Sequence, residues 1–192
     1  MNRRTAIGGI LLTGIGGTLA FSGYKWRDWH KSPDITWLRQ HKELVSALAE
    51  TIIPETADSP GARTAGAGDY IVLMIRDCTE KMSANKFIDG LKDLEKDCYS
   101  RYRLTYAALN PTQQKEMLSR FEEKGKPFRG IIGKAQNRYL GKSFFTTLKE
   151  LTVAAYCTSE AGATKGLAYL YIPGAYHGCV PMTPGQRAWA LK

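Results

Sequence analysis

Only three histidines occur in the 192 residues, His30, His41 and His177, and no two of the four cysteines stand in C-x-x-C spacing. The missing spacing excludes thioredoxin-like redox chemistry and c-type haem attachment in this chain. Three scattered histidines without paired carboxylates do not make a zinc site. Cys179 follows His177 by two positions in GAYHGCVP, and residues two apart do not share a helix face, so a catalytic Cys–His pair is not expected there. No phosphate loop occurs, and no G-x-G-x-x-G. The GAG at 66–68 follows a helical pattern where a dinucleotide fingerprint needs a strand. Zinc-finger spacing, RNP-like aromatic motifs and a basic zipper are absent too, so no nucleic-acid partner is expected. The sequence therefore predicts no catalytic, cofactor-binding or metal-binding residues of its own.

What is present is a basic chain of ordinary globular composition. Its 43% hydrophobic content argues against disorder, and its length suits one domain. By itself the net charge of +9 suits nucleic acid, an anionic membrane surface or an acidic protein equally well. Eight basic residues lie between Lys115 and Lys142 against Glu116, Glu122 and Glu123. They are dispersed along the segment, as on a solvated helix face or a docking surface for an acidic partner.

The chain opens MNRRTAIGGILLTGIGGTLAFSG. Ala6 to Gly23 carries no charge but holds six glycines, each of which weakens a helix by about 1 kcal/mol. The pair Arg3 and Arg4 ahead of this weakly apolar run fits a twin-arginine export signal better than a stop-transfer helix. Ala6 stands where a bulky apolar residue is usual in such signals. Thr18-Leu19-Ala20 is a weak cleavage site, and no cysteine follows to make a lipoprotein. Tyr24, Trp26 and Trp29 alternate with Lys25, Arg27 and Lys31 just beyond, a composition suited to a membrane–water interface. Cleavage and retention as an anchor both remain open. The expected division is signal or anchor over 1–23, linker over 24–34 and a helical domain over 35–192.

Within that domain the fold class reads as mainly α: one compact helical domain with long loops and an extended C-terminal arm. Ser32-Pro33 predicts a helix start. Leu38, Val45, Leu48 and Ile52 recur at helical spacing as far as Ile53, before Pro54. His41 lies on that stripe and reads as a packed residue. Pro54 to Gly68 predicts a long loop, of the kind that often carries function. Tyr70 to Ile75 is an apolar run that periodicity cannot assign. Phe87, Leu91 and Leu94 begin a helix running to about Tyr106. Asn110-Pro111-Thr112-Gln113 predicts a capping box opening a helix that carries Met117, Leu118 and Phe121 to Gly125. A last helix is expected from Ser143 to about Glu160, closed by Gly162.

Cys78, Cys98, Cys157 and Cys179 permit two disulfides in an exported protein, in any of three connectivities. The neighbouring pairs Cys78–Cys98 and Cys157–Cys179 would be worth about 3 kcal/mol each in the chain-entropy model. Four free thiols are the alternative.

Three stretches carry a family likeness. They are IIPETADSPGARTAGAGDYI at 52–71, ALNPTQQKEML at 108–118 and LTVAAYCTSEAGATKGLAYLYIPGAYHGCVP at 151–181. A proline-terminated helix followed by a T-D-x-P-G-A-like loop, an L-S-P-x-Q-Q helix start, and a T-S-E-x-G-A-T-K-like turn before P-G-x-Y occur here in order. Together they resemble the gluconate 2-dehydrogenase subunit 3 family; one departure is Ala57, inserted between Thr56 and Asp58. The resemblance implies a small helical subunit of a membrane-associated sugar, sugar-acid or polyol dehydrogenase. It implies a large flavoprotein partner of the glucose–methanol–choline type that binds FAD, often with a cytochrome c subunit carrying haem. The small subunit would hold no cofactor and act as chaperone and export escort, periplasmic and associated with the inner membrane. FAD is loaded before export, so an escort must hold its cargo through a large, partly apolar interface.

Two regions are candidates for that interface. One is the 54–68 loop, with Pro60 and Gly61. The other is the C-terminal stretch with Tyr171, Pro173, Tyr176, His177 and Trp189, aromatic and proline-rich in the manner of a docking arm. A strap packed on its own domain is the plain alternative for the arm. Two other functions compete with the escort: a subunit lending His177 or Tyr176 to a partner's active site or electron path, and a free-standing periplasmic binding domain.

Overall fold

The structure is a computed structural model that describes residues 31–126 and 141–190, apart from 173, 176–178, 180 and 183. Arg3 and Arg4, with the whole predicted signal, lie outside the described residues. So do Pro173, Tyr176 and His177.

Among the described residues six α-helices follow one another, α1 (Ile35–Gln40), α2 (Lys42–Ile52), α3 (Ala67–Asp77), α4 (Lys81–Tyr102), α5 (Pro111–Gly125) and α6 (Phe144–Thr158). A 3₁₀ turn at Tyr106–Ala108 precedes α5, and a π-helical turn at Gly162–Gly166 follows α6. Among the described residues the only β pairing is two isolated bridges, and no helix is long and apolar enough to cross a membrane. The mainly α reading holds.

The last helix is the hub. α6 packs against α2, α3, α4 and α5 and runs on into the π turn. Enclosure on several sides explains why its buried residues, Leu148, Thr152, Ala155 and Tyr156, include polar groups. Thr152 is fully buried and donates its hydroxyl to the Leu148 carbonyl at 2.8 Å, so its oxygen is satisfied within the helix. Phe144, at the start of α6, meets Phe87 of α4 and Phe121 of α5 at ring-centroid distances of 5.4 and 6.0 Å.

The first helix departs from the reading in two places. Its cap is Asp34, whose carboxylate accepts from the Trp37 N–H at 3.0 Å, and not Ser32. The single expected helix is also two, broken at His41. The His41 backbone N–H and ring Nδ1 both approach the Trp37 carbonyl, Nδ1 at 2.9 Å, and the ring stacks on Trp37 at 3.9 Å. A side chain that competes for a helical carbonyl interrupts the ladder there. His41 is a packed, half-buried residue as expected.

Tyr70 to Ile75 is helical, inside α3, with Ile71, Val72 and Ile75 buried on one face. α4 stops at Tyr102 and not Tyr106, because Arg103 takes a left-handed conformation (φ 56°). The chain turns there, and Tyr106 becomes an anchor. Fully buried, it aims its hydroxyl at Thr51 Oγ1 of α2, 2.8 Å away, while its backbone N–H donates to Glu95. Gln114 of α5 donates to the Tyr106 carbonyl at 3.1 Å. The Asn110 capping box forms as read: Asn110 Oδ1 accepts from the Gln113 N–H, and Gln113 Oε1 accepts from the Asn110 N–H.

The basic stretch from Lys115 is a solvated face where it is described. Lys124 pairs with Asp97 at 2.9 Å, Lys142 with Glu150 at 2.5 Å, and Lys126 with Glu123. Exposed pairs of this kind contribute about 0–1 kcal/mol each. They hold charge in balance and do little for stability.

Candidate functional site

The loop after α2 is ordered by a carboxylate. Glu50 sits in the last turn of α2, and its Oε1 accepts the N–H of Glu55 while its Oε2 accepts that of Arg63, both at 2.8 Å. One side chain thus holds both limbs of the loop. Gly61 lies against it, buried, and an added Cβ there would come within 2.7 Å of the Glu50 carboxyl carbon as well as striking its oxygens. The glycine is needed for space. The loop closes with the Ala62 N–H on the Ile53 carbonyl at 2.9 Å and ends at Gly66, whose φ of 71° turns the chain into α3.

A second contact ties the loop to α6. The hydroxyls of Ser59 and Tyr156 are 2.6 Å apart, joining residues 97 positions distant in sequence. Tyr156 passes along the π turn, where an added Cβ at Gly166 would lie 2.8 Å from its Cζ. The turn itself is pinned by Ser159, whose Oγ accepts the Gly162 N–H and donates to the Tyr156 carbonyl, both at 2.9 Å.

The C-terminal arm leaves the π turn and returns to it. Ala168 and Trp189 form a parallel bridge, with the Ala168 N–H on the Ala188 carbonyl at 2.8 Å and the Ala190 N–H on the Ala168 carbonyl at 2.9 Å. Arg187 closes the base: Nη2 donates to the Asp58 carbonyl at 2.9 Å and Nη1 to the Lys165 carbonyl. The 54–66 loop, the π turn and the arm are therefore one composite surface. Pro60 is half-buried in it and Gly61 buried, whereas Tyr171 and Trp189 are exposed.

The four cysteines are unpaired. Neither neighbouring disulfide is formed: Cys98 lies in the core on the inner face of α4, while Cys78 is the exposed cap of α3, and Cys157 and Cys179 are exposed. Burial, with Glu95 and Asp97 nearby, pushes the Cys98 thiol up to about 12, which makes it a poor nucleophile. Tyr106 is likewise pushed up to about 12, mainly by burial. Among the described residues no group of three His, Cys, Asp or Glu side chains stands close enough together to hold a metal ion.

The sequence reading passed over Glu50 and Arg187, and met Tyr156 only within the family-like stretch at 151–181, with no contact assigned to it. Their signals are weak: a glutamate four residues before a proline, a tyrosine at a helix end, and a lone cation between Gly185 and Trp189. Each acts through a partner distant in sequence.

The profile for gluconate 2-dehydrogenase subunit 3 matches residues 39–174. The chain belongs to that family. The match runs from within α1 to the outward limb of the arm, so it takes in the Glu50-held loop, Tyr156 and the π turn. Arg187 and Trp189, which close the base of the arm, lie beyond it. No curated protein and no solved structure shows a significant match to the chain. Members of the gluconate 2-dehydrogenase subunit 3 type are accessory subunits of a dehydrogenase complex.

Proposed function

We propose that this chain is the non-catalytic small subunit of a membrane-associated, FAD-dependent sugar, sugar-acid or polyol dehydrogenase, and the chaperone and export escort of its large flavoprotein subunit. The observation that carries the reading is the family match over residues 39–174, which takes in the helical body from within α1 onward. The partner, of the glucose–methanol–choline type, binds FAD and performs the oxidation, and a cytochrome c subunit with haem takes the electrons onward. The complex works in the periplasm at the inner membrane, and the Arg3-Arg4 pair directs the folded pair to the twin-arginine pathway. The partner contact lies on the composite surface of loop and arm.

The test is replacement of Arg3-Arg4 by Lys-Lys in the full chain, followed by fractionation. Both this chain and the flavoprotein are expected in the cytoplasm, and normal export of the pair would overturn the escort role. Turnover of the large subunit, loaded with FAD but made without this chain, addresses catalysis. Full activity is expected, and an activity restored only by adding this chain would assign it residues of the reaction, with Tyr176 and His177 the first to substitute.

A further inference from the structure

The helical body and its arm differ in what they leave in water. On the body, the exposed large apolar residues Leu73, Tyr99, Leu104 and Val153 are set on separate segments, as is normal for a folded surface. On the arm they are consecutive. Tyr169, Leu170, Tyr171 and Ile172 are 43%, 47%, 82% and 73% exposed, and Met182 on the returning limb is 86% exposed. An extended strap packed on its own domain buries alternate side chains, because successive side chains point to opposite faces. Four exposed in a row exclude that arrangement for this stretch.

Charge sets the arm apart as well. From Ala161 to Lys192 there is no Asp or Glu, against Lys165, Arg187 and Lys192. On the body, by contrast, basic side chains find carboxylates: Lys124 with Asp97, Lys142 with Glu150, Lys42 with Asp69. The arm thus combines an apolar centre with a positive segment that has no counter-charge of its own.

Its base is nevertheless fixed. The Ala168–Trp189 bridge and the two bonds of Arg187 join the two ends of the arm to each other, to the 54–66 loop and to the π turn. Of the two regions the sequence offered as interface, the first is committed inward. Glu50 takes its backbone N–H groups, and Tyr156 takes Ser59. It is the seat, and the arm is what it presents.

We propose that the arm loop, with Tyr171, Ile172 and Met182 as its anchors, is the element that docks the flavoprotein subunit, and that it enters an apolar groove of that subunit rimmed with carboxylates. The inference rests on the accessory-subunit reading and names the contact within it. Apolar anchors carry most of the energy of such an interface, and the missing carboxylates on the arm select an acidic rim. Closing the base in advance removes part of the ordering cost of binding, so Arg187 strengthens the complex without having to touch the partner.

The test uses the full chain, purified in detergent with the FAD-containing protein that accompanies it from host membranes, then separated and titrated back. Tyr171→Ser/Ile172→Ser is expected to weaken Kd by about thirtyfold or more, with unchanged helical circular dichroism. Arg187→Lys, which keeps the charge but cannot reach both carbonyls, should weaken it about three- to tenfold. Leu73→Ser/Val153→Ser should bind as the parent does, and raised salt should weaken the parent complex.

Tight binding by the Tyr171→Ser/Ile172→Ser variant overturns this inference and leaves the escort reading standing. Failure of the unaltered chain to bring down or rebind any FAD protein overturns both. Loss of sedimentation with phosphatidylglycerol vesicles in the same variant, at unchanged flavoprotein Kd, assigns the arm to a lipid surface and also overturns it. So does loss of a dimer of this chain at unchanged Kd.

Discussion

Gly61 lies so close to Glu50 that a methyl group on its Cα would occupy the space of the Glu50 carboxylate. That carboxylate accepts the N–H groups of Glu55 and Arg63, so the two residues form one device. Glu50→Ala removes two charge-assisted bonds and should destabilise the fold by about 1–3 kcal/mol. Gly61→Ala should cost about 1–3 kcal/mol by overpacking. In the double variant the second change should cost little, because the alanine side chain then fits the space the carboxylate has left. Denaturant unfolding of the four proteins measures the coupling, and simple additivity would show that the two residues act separately.

Tyr156→Phe removes the hydroxyl that meets Ser59, and about 1 kcal/mol of stability should go with it. Gly166→Ala should be worse in the parent than in Tyr156→Phe, since the added methyl meets the tyrosine hydroxyl first. Thermal midpoints of the set of variants check the order.

Cysteine labelling under native conditions should add iodoacetamide to Cys78, Cys157 and Cys179, and the fourth adduct, on Cys98, should appear only after denaturation. Intact mass gives the count directly. A protein that takes no label until reduced would restore the two-disulfide arrangement.

Burial raises the carboxyl of Glu95 above its ordinary range, partly offset by the bond from the Tyr106 N–H and by His41 nearby. The folded state therefore resists charging this group. Its contribution to stability is fully present below the ordinary glutamate range and is lost as pH rises through the raised value. Glu95→Gln keeps an acceptor for Tyr106 and removes the charge. It should be more stable than the parent at pH 7, with the difference shrinking near pH 4, where the parent is protonated. Urea midpoints at the two pH values test this, and equal midpoints at pH 7 would refute it.

What the sequence disclosed was what neighbouring residues decide. The Asn110 box was readable because its donors and acceptors are all within four residues, and the proline after α2 marked that helix's end. The break at His41 was not readable, because it depends on a ring stacking on Trp37 and sharing its carbonyl. Tyr106 looked like the end of a helix until its hydroxyl was seen against Thr51, 55 residues away. The loop and the arm were each visible by composition, yet nothing local announced that Arg187 joins them.

The bond between Arg187 and Asp58 spans 129 residues, and that separation orders events in time. During synthesis the Glu50 contacts can form as soon as α2 and its loop have been made, whereas Tyr156 and the π turn come about a hundred residues later. The latch must wait until every helix between has followed. Most other contacts in this helical body are nearer in sequence and form sooner. The surface offered to a partner is thus assembled last, on a body already folded, and a nascent chain cannot present it early.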